Sequence, residues 1–326
     1  MFSHRYLGPD QGRQQCGRPL FSMRGRSLIL TGKVKVILNP YGGRLPERTR
    51  LAVVEHALRK ARVDFDLQMT RSPAHALETA RRASQEGWPI VVAAGGDGTI
   101  NQVVNGLMQT AGQEEAAILG IIPLGTANDL ADMLAIPRDI EAACRRIAAG
   151  KTRLIDVGWV NNHYFVNNSA VGLEPLVTLE QDQMRSVNGN LRYVLAALKT
   201  IARAKPWEMR ITWRGGAYEG PVTLVSVGNS RRTGGAFYMT PHAVLDDGLL
   251  DFVYGVGMSR WQMLQLLPKT FWGGHIHHAL VIYRQTPSLS IMASPPTPIQ
   301  ADGEIIDRNA TQINYRLIPG KLRVIV

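Results

Sequence analysis

The sequence predicts an α/β protein of two domains, a parallel-sheet domain over residues 32–155 and a mainly antiparallel β-sandwich or rolled sheet over residues 156–326. In the first region four apolar runs alternate with segments of helical period, which is typical of a parallel sheet covered by helices. In the second region short β-rich runs follow one another between turn residues, which is typical of antiparallel sheets. We leave open whether the last run, 322–326, returns to the first domain.

Four strands and the helices between them make up the predicted first domain. The strands cover 34–38, 65–69, 90–94 and 118–123. Ser72-Pro73 predicts a helix start, because Ser caps helix ends and Pro fits the first helical position. After the third strand, apolar residues at i, i+3, i+4 and i+7 predict a helix, namely Ile100, Val103, Val104 and Leu107. Further helices are expected over 51–61, 130–134 and 140–149.

The predicted second domain is a series of short strands interrupted by two helices. The strands cover 157–160, 164–167, 209–213, 222–227, 250–254, 281–283, 289–292 and 322–326, and the helices cover 187–203 and 259–271. A proline-rich tract at 294–298 has low complexity. The second helix carries an apolar stripe, for which both core packing and a lipid-facing edge are kept as interpretations. Its members are Trp261, Leu264, Leu267, Phe271 and Trp272.

The 326-residue chain has a net charge of +11, and much of that charge lies near its start. We predict that residues 1–31 form a basic, flexible extension, whose role stays open. A basic excess attracts polyanions, but no recognition motif accompanies it, so we expect no nucleic acid partner. No apolar run approaches the roughly 18 residues of a membrane span. Cys16 and Cys144 match no metal or redox spacing, so we expect free thiols and a cytoplasmic location.

Two of the predicted strands end in glycine-rich turns that contain an acidic residue. The first turn is Gly95-Gly96-Asp97-Gly98-Thr99, and the second runs from Gly125 to Asp129. Glycines leave backbone N–H groups open to an anion, and a helix N-terminus favours one. Beside phosphates, Asp97 fits a Mg²⁺ ligand, direct or through water, and Thr99 fits a donor to a phosphate oxygen. The alternative interpretation is a plain strand-to-helix turn.

Six motifs occur in an order that resembles one known family. They are Asn39-Pro40-x-Gly-Gly, Gly95 to Asn101, Pro123 to Ala131, Val166 to Gly172, Gly234-Gly235 with Asp246 to Asp251, and Asp302-Gly303-Glu304. With them the chain resembles, over about residues 33–326, the diacylglycerol kinase catalytic-domain family, and within it the bacterial YegS-like soluble lipid kinases. The resemblance implies an NAD kinase/phosphofructokinase-like fold for the nucleotide-binding domain. It also implies ATP- and Mg²⁺-dependent phosphorylation of a primary lipid hydroxyl.

The resemblance assigns expected roles to the glycine loops and to one later turn. The expected nucleotide contacts are Asn39, Thr70, Gly95, Gly96, Asp97, Gly98, Thr99, Ile100, Asn101, Gly125, Thr126 and Asn128. Asp97, with Asp129 as a second candidate, is expected to act through Mg²⁺. A second, structural Mg²⁺ is expected at the Asp247 side chain and the backbone carbonyls of Val244 and Leu249. From the sequence alone, Asp247-Gly248 is also consistent with a hairpin turn.

The general base is expected in the motif near the end of the chain. The resemblance points to Glu304, with Asp302 as its rival, and Asp97 completes the expected catalytic residues. A carboxylate in a closing cleft can have its pKa raised by desolvation to a useful value. Without the other motifs, Asp302-Gly303 followed by an exposed Glu304 is consistent with a surface turn. Two residues depart from the family pattern, Ala236 in place of a third glycine and His242 where an acid is frequent.

Two alternatives to a lipid kinase are an NAD kinase-like enzyme and a non-catalytic nucleotide- or membrane-binding regulator. The motifs at 123–131 and 246–251 favour lipid kinases over NAD kinases. A regulator would not require Glu304 as a base. We expect an enzyme that takes its lipid from the membrane surface and is transiently peripheral to it. The identity of the lipid, the choice of ATP over another nucleotide, and a homodimer as the oligomeric state stay open.

Overall fold

The structure of the chain is a computed structural model that describes residues 33–41, 46–110, 116–184 and 190–326. The predicted extension at residues 1–31, with Cys16 in it, lies outside the described residues. The two glycines of the Asn39-Pro40-x-Gly-Gly motif also lie outside them. In the part of the chain that is described, no helix is both long enough and apolar enough to cross a bilayer.

Strands and helices alternate at first and then give way to a strand-rich second half. The strands are β1 Val34–Leu38, β2 Phe65–Met69, β3 Ile90–Gly95, β4 Ile118–Pro123, β5 Thr152–Val160, β6 His163–Phe165, β7 Asn168–Gly172, β8 Trp207–Trp213, β9 Gly216–Gly228, β10 Leu250–Val256, β11 Val281–Thr286, β12 Ser288–Ala301 and β13 Glu304–Ile325. The α-helices are α1 Glu47–Lys60, α2 Pro73–Gln85, α3 Asp97–Thr110, α4 Asp129–Met133, α5 Ile140–Ala149, α6 Leu173–Gln183, α7 Asn190–Arg203 and α8 Arg260–Leu266. Two 3-10 helices, Pro268–Trp272 and Gly274–His277, follow α8.

The first four strands form a parallel sheet in the order β2-β1-β3-β4. They are short apolar runs, and β3 is buried at every residue, as expected of strands that are covered on both faces. Helices α2 and α3 pack on one face through Ala80 and Ile100, and α1 and α5 pack on the other through Leu58 and Ile147. The carboxyl ends of β1, β3 and β4 therefore meet at one edge of the sheet.

The second half of the chain is built from antiparallel strand pairs, β5 to β13. The inner faces of these strands form a separate core that contains Phe165, Phe252 and Ile313. Strand β13 pairs with β12 and β5, and its residue Val324 pairs in parallel with Leu119 of β4. The last strand thus hydrogen-bonds the second half of the chain to the first sheet.

Three helices cover part of the antiparallel sheet and enclose a further apolar core. Leu173 of α6, Ile201 of α7, Met263 of α8 and Val253 of β10 belong to this core. Helix α8 begins at a capping box, because Ser259 accepts a hydrogen bond from the Gln262 N–H while the Gln262 side chain accepts one from the Ser259 N–H. The α-helix ends before Pro268, whose ring does not fit a helix interior. The helix predicted over 259–271 is thus an α-helix followed by a 3-10 helix.

The structure confirms the predicted fold class, a parallel α/β region followed by a mainly antiparallel β-rich region. The second region also contains elements that the sequence analysis did not predict, namely β7, α6 and most of β12 and β13. The proline tract at 294–298 lies inside β12, where pairing with β13 is irregular between Met292 and Thr297, and irregular pairing is where strands tolerate proline. In β13 buried and exposed residues alternate from Ile313 to Leu317, which is the period of a half-buried strand and was available as a signal in the sequence.

Candidate active site

The edge where β1, β3 and β4 end bounds a cavity of about 370 Å³, here called the loop cavity. Its lining residues are Asn39, Tyr41, Arg50, Thr70, Ser72, Pro73, Ala76, Gly95, Gly96, Gly98, Thr99, Gln102, Leu124, Gly125 and Glu304. The N-terminus of α3, at Asp97, opens beside this cavity. A helix N-terminus carries unpaired N–H groups and a partial positive charge, so the cavity favours an anion such as a phosphate.

The two glycine loops pack directly against each other. A Cβ atom on Gly96 would lie 3.1 Å from the Cα of Gly125, so the contact leaves little room for a side chain. Asn128 holds the second loop in shape, because its Oδ1 accepts a hydrogen bond from the Gly125 N–H and its Nδ2 donates to the Gly125 carbonyl. Asn128 has a left-handed backbone with φ 55°, which Asn adopts more readily than most residues.

Asp97 joins the two loops through its carboxylate. Its Oδ2 accepts a hydrogen bond from the Asn128 N–H at 2.7 Å, and its Oδ1 accepts one from the Asp129 N–H at 2.7 Å. Desolvation by burial raises the pKa of Asp97, and these backbone donors oppose that rise. Each carboxylate oxygen has a second lone pair, so positioning the loops leaves Asp97 able to face a cation or its water.

Some of the expected nucleotide contacts line the loop cavity, and the others lie elsewhere in the structure. Seven of them line the loop cavity, namely Asn39, Thr70, Gly95, Gly96, Gly98, Thr99 and Gly125. Asp97 and Thr126 line a neighbouring cavity, and Asn128 holds Gly125 as described above. Ile100 is in the hydrophobic core, with its N–H bonded to the Gly96 carbonyl. Asn101 donates to the Tyr164 carbonyl and to Asp302, and therefore faces the second half of the chain.

Four polar residues of the loop cavity were not among the expected contacts, namely Tyr41, Arg50, Ser72 and Gln102. Arg50 is only 2% exposed, and its Nη1 donates to the Asn39 carbonyl at 3.0 Å. One signal was available, because Arg50 precedes Val54 and Leu58 at helical spacing on the buried face of α1. A cation at an apolar position of an amphipathic helix indicates a specific use for its charge.

Glu304 lies at the wall of the loop cavity, next to the first glycine loop. A Cβ atom on Gly98 would stand 3.3 Å from Glu304 Oε1, and Glu304 Oε2 accepts a hydrogen bond from the Gln102 amide. Desolvation by burial raises the pKa of Glu304 to about 6, while the Gln102 bond lowers it and the Asp302 charge adds to the rise. A carboxyl group with a pKa near neutrality can exchange protons with a reacting hydroxyl.

Asp302 is a fully bonded carboxylate that organises the turn between β6 and β7. Its Oδ1 accepts from the N–H groups of Asn167 and Asn168 at 2.8 and 3.0 Å. Its Oδ2 accepts from the Val166 N–H and from Asn101 Nδ2, each at 2.9 Å. Burial raises the pKa of Asp302 to about 6 against these four donors. Asp302 therefore joins α3 to the second half of the chain, and its lone pairs are more fully used than those of Glu304.

A second cavity of about 230 Å³ lies on the other side of Asp97 and is here called the acidic cavity. Four carboxyl groups line it, from Asp97, Asp129, Glu174 and Asp302. Burial, followed by the charge of Asp97, raises the pKa of Asp129 to about 7. Arg232, whose Nε lies 3.6 Å from Asp129 Oδ1, offsets part of this charge. The carboxylates of Asp97 and Asp129 still repel each other beside a phosphate-type loop, and such a pair suits Mg²⁺, because a cation relieves the repulsion. The residues present thus fit the implied metal.

The turn expected to hold a structural metal lies at the surface. Asp247 is exposed, and its Oδ1 accepts a hydrogen bond from the Leu249 N–H at 3.0 Å. The buried carboxylate of Asp156 accepts from the Gly248 N–H, which fixes the turn against β5. Among the described residues no group of three or more His, Cys, Asp or Glu is placed to hold a metal. The set of Asp247 with the carbonyls of Val244 and Leu249 stays a prediction.

A third, apolar cavity of about 90 Å³ lies among α6, α7, α8 and β10. Glu174 and Tyr193 line both this apolar cavity and the acidic cavity. His275 also lines it, with Nε2 donating to the Met239 carbonyl at 3.2 Å. Burial lowers the pKa of His275 to about 4, so its ring is neutral at physiological pH. Burial raises the pKa of Glu174 to about 7, so this carboxyl group, on the side shared with the acidic cavity, is only partly ionised at neutral pH.

Comparisons with known proteins match both halves of the chain. The family model of the diacylglycerol kinase catalytic domain matches residues 33–160, and that of the YegS C-terminal NAD kinase beta sandwich-like domain matches residues 168–326. The chain is 30% identical over 274 residues to a diacylglycerol kinase of Bacillus subtilis (strain 168), covering 83% of this chain and 89% of that protein. It is 29% identical over 273 residues to a diacylglycerol kinase of Staphylococcus aureus (strain MRSA252), covering 83% and 86%.

Solved structures show the same fold. The crystal structure of a diacylglycerol kinase from Bacillus anthracis str. Sterne superposes with a TM-score of 0.70 at 22% identity, over 90% of this chain and 96% of that one. A glycine-loop α/β region joined to an NAD kinase-like β-sandwich defines a kinase-type architecture. Within that class, the chain belongs to the diacylglycerol kinase catalytic-domain family, in its YegS-type branch. The resemblance predicted from the motifs is confirmed, and membership supports a lipid kinase of this type.

Proposed function

We propose that this protein is an ATP- and Mg²⁺-dependent kinase that phosphorylates the primary hydroxyl of a lipid. The observation that carries the proposal is the succession of three cavities, which pass from glycine loops through an acidic chamber to an apolar one. A phosphate donor, a reacting hydroxyl and a lipid chain require those three environments in that order. In this proposal residues 32–155 hold the nucleotide and residues 156–326 hold the lipid.

The loop cavity has the groups needed to bind the phosphates of ATP. The backbone N–H groups of the first loop at Gly96 and Gly98 would donate to phosphate oxygens, since no Cβ atom stands in their way. Arg50 would add a positive charge from the same wall. Asp97 and Asp129 would hold Mg²⁺, whose charge offsets that of the phosphates when it is bound.

Glu304 is the proposed general base, and Asp302 the residue that positions it. Gly303 lines the acidic cavity while Glu304 lines the loop cavity, so this turn stands at the boundary between the two. With a pKa of about 6, Glu304 is mostly ionised at neutral pH and can accept the proton of a lipid hydroxyl. Asp302 supports the turn from behind through its four hydrogen bonds.

We further propose that the enzyme is cytoplasmic and binds membranes transiently through a surface on α7, α8 and the following 3-10 helix. This docking surface consists of the exposed side chains Leu191, Leu195, Leu198, Trp261, Phe271 and Trp272. The segments 190–206 and 257–282 that carry it contain no Asp or Glu, but six Lys or Arg. Apolar side chains among cations suit an anionic bilayer. The same helices line the apolar cavity, so lipid would enter from the membrane side.

The test is transfer of labelled phosphate from ATP, with Mg²⁺, into lipids presented in mixed micelles. The acceptors are diacylglycerol, monoacylglycerol, a sphingoid base, ceramide and phosphatidylglycerol. We expect one class to be labelled by the native protein, and the label to be lost in Asp97→Ala and Glu304→Gln but kept in Glu219→Gln, an exposed residue of β9. Transfer to NAD alone would support the NAD kinase-like alternative. Nucleotide binding without any transfer would support the regulator.

A further inference from the structure

Glu174 occupies the junction between the acidic cavity and the apolar cavity. It lies in the first turn of α6 and is 6% exposed. It lines both cavities, so in the proposed function it stands where a lipid headgroup joins its chain. A helix N-terminus favours a negatively charged side chain, which accounts for how an acidic residue is held at this buried position.

Among the described residues, hydrogen bonds of normal geometry reach only one of the two Glu174 carboxylate oxygens. Its Oε1 accepts from Asn168 Nδ2 at 3.0 Å and from Gln300 Nε2 at 3.2 Å. Its Oε2 has no partner among the residues that the structure describes, although the hydroxyls of Ser226 and Thr233 stand near the carboxyl group. Because an unpaired buried acceptor is costly, a ligand that brings a donor to Oε2 gains more affinity than one that brings an acceptor.

Tyr193 is the second polar group at this junction. It lines both cavities, and its ring packs on Phe237 with centroids 4.4 Å apart. Burial and the charge of Glu174 raise the pKa of Tyr193, so its phenol keeps the O–H. The junction therefore combines a carboxylate acceptor with a hydroxyl group. A hydroxyl on the ligand, which both donates and accepts, complements this pair, whereas an ester offers only acceptors.

The size of the apolar cavity limits how much of a lipid chain it can hold. Its volume of about 90 Å³ is smaller than that of an engineered cavity of about 150 Å³ that accepts benzene. It has room only for the first methylene groups of an acyl chain, so the rest of any chain would lie outside it. The polar junction is what favours a glycerolipid whose hydroxyl beside the reacting one is free, and such a glycerolipid has one acyl chain.

We propose that the substrate is a single-chain lipid with a hydroxyl or N–H on the carbon next to the phosphorylated hydroxyl, and that Glu174 recognises this donor. The proposal rests on the proposed function and narrows its substrate to lipids such as monoacylglycerols rather than diacylglycerols. In the reaction the bond from the γ-phosphorus to ADP breaks as the bond to the primary hydroxyl oxygen forms. Glu304 takes the hydroxyl proton, and the neighbouring donor is unchanged.

Three acceptor lipids distinguish the effect of the neighbouring hydrogen-bond donor from the effect of the number of acyl chains. They are monooleoylglycerol, the same lipid acetylated at the hydroxyl next to the reacting one, and dioleoylglycerol. The assay is run at about pH 8.5, because burial raises the pKa of Glu174 to about 7 and its carboxyl group is ionised at that pH. For the native enzyme we expect kcat/KM for monooleoylglycerol to exceed that for its acetylated form by at least about 10-fold, because the acetyl ester leaves Oε2 unpaired.

Glu174→Gln is the decisive variant, because it keeps the shape of the side chain. Its amide oxygen still accepts from Asn168 and Gln300, while an NH₂ group replaces Oε2 and donates to an ester oxygen. We expect the ratio of kcat/KM values for the two single-chain lipids to fall by about 10-fold or more, or to invert. The matched control is Glu180→Gln on the same helix, whose carboxylate pairs with Lys199, and it should leave the ratio unchanged.

The outcomes separate this inference from the function on which it rests. Phosphorylation of the acetylated or diacyl lipid as efficiently as monooleoylglycerol would overturn the inference and leave the lipid kinase standing. The inference would also be overturned if the ratio of kcat/KM for monooleoylglycerol to that for its acetylated form were the same in Glu174→Gln and in Glu180→Gln. Absence of transfer to every lipid by the native enzyme would overturn the proposed function itself. The ratio compares two lipids on one enzyme preparation, so partial misfolding of a variant does not alter it.

Discussion

Gly125 lies so close to Gly96 that a Cβ atom on Gly125 would stand 2.5 Å from the Cα of Gly96. Atoms in a packed interior do not approach so closely, so a side chain at Gly125 must push the two loops apart. The hydrogen bonds from Asn128 and Asp129 to Asp97 cross the same contact. The shape of the loop cavity thus depends on two glycines that follow different strands.

Gly125→Ala should therefore damage nucleotide binding more than it damages folding. We expect affinity for a fluorescent ATP analogue to fall by about 10-fold or more and the free energy of unfolding to fall by about 1–3 kcal/mol, since overpacking displaces the backbone. Gly87→Ala is the control, because Gly87 has φ 78° and no atom within 4 Å of its added Cβ. It should lower stability through backbone strain alone. Equal nucleotide affinity in both variants would contradict the role given to the contact.

The sequence was sufficient to predict the glycine loops, because the loop-cavity residues Asn39, Gly96 and Gly125 follow parallel strands closely in the chain. The ends of such strands meet at one sheet edge whatever the rest of the fold does. The sequence was not sufficient to predict which residues of α3 face the loop cavity and which face the second half of the chain. Asn101 and Asn105, four residues apart, both donate to the Tyr164 carbonyl, whereas Gly98 and Gln102, also four apart, line the loop cavity. Which helix face meets which partner is decided by tertiary packing.

Long-range contacts were beyond local pattern analysis for a different reason. Gln102 and Glu304 are 202 residues apart in the chain and meet at one hydrogen bond. Glu174 belongs to α6, which was not predicted because Pro175 interrupts its helical signal. Proline is nevertheless tolerated in the first turn of a helix, where its missing N–H has no partner to lose. Leu173, Leu176 and Val177 stand at i, i+3 and i+4, so the helix that carries this carboxylate had a weak helical period beside its proline.

Glu304→Gln tests the assignment of the base through the pH dependence of the rate. The base must be ionised, and burial raises the pKa of Glu304 to about 6, so the native rate should rise with pH through about 6 and level off above it. Glu304→Gln should lower kcat by about 10²–10⁴-fold and remove the contribution of Glu304 to the fall in rate below about pH 6, since an amide does not titrate. The measurement is kcat for phosphate transfer between about pH 5 and 8.

Asp302→Asn is the comparison that separates the two carboxyl groups near the end of the chain. Asn offers one acceptor oxygen where Asp302 accepts four hydrogen bonds, so we expect a loss of about 2–4 kcal/mol in unfolding free energy. Its remaining activity should keep the fall in kcat below about pH 6, because Glu304 is intact. If the fall in kcat below about pH 6 vanished in Asp302→Asn and persisted in Glu304→Gln, Asp302 would be the base.

Arg50 should control affinity for the nucleotide rather than the chemical step. It lines the loop cavity and is held by the Asn39 carbonyl at 3.0 Å. Arg50→Gln removes its charge, and we expect KM for ATP to rise by about 10-fold or more, because charge-assisted bonds to phosphate are the stronger kind. Arg48→Gln removes an exposed charge from the same helix and should change KM little. A similar KM in both variants would exclude phosphate contact by Arg50.

Trp261 and Trp272 should anchor the enzyme to membranes without taking part in catalysis. They are 76% and 65% exposed and do not line the apolar cavity. Replacing both by Ala should weaken sedimentation with anionic phosphatidylglycerol vesicles by about 10-fold or more, because each buried aromatic side chain contributes roughly 1.5–3 kcal/mol. The control is Met69→Ala with Met292→Ala, which removes exposed apolar surface elsewhere. Partition should also weaken as salt screens the neighbouring cations. If both double variants sedimented with the vesicles equally well, the protein would contact the membrane through another face.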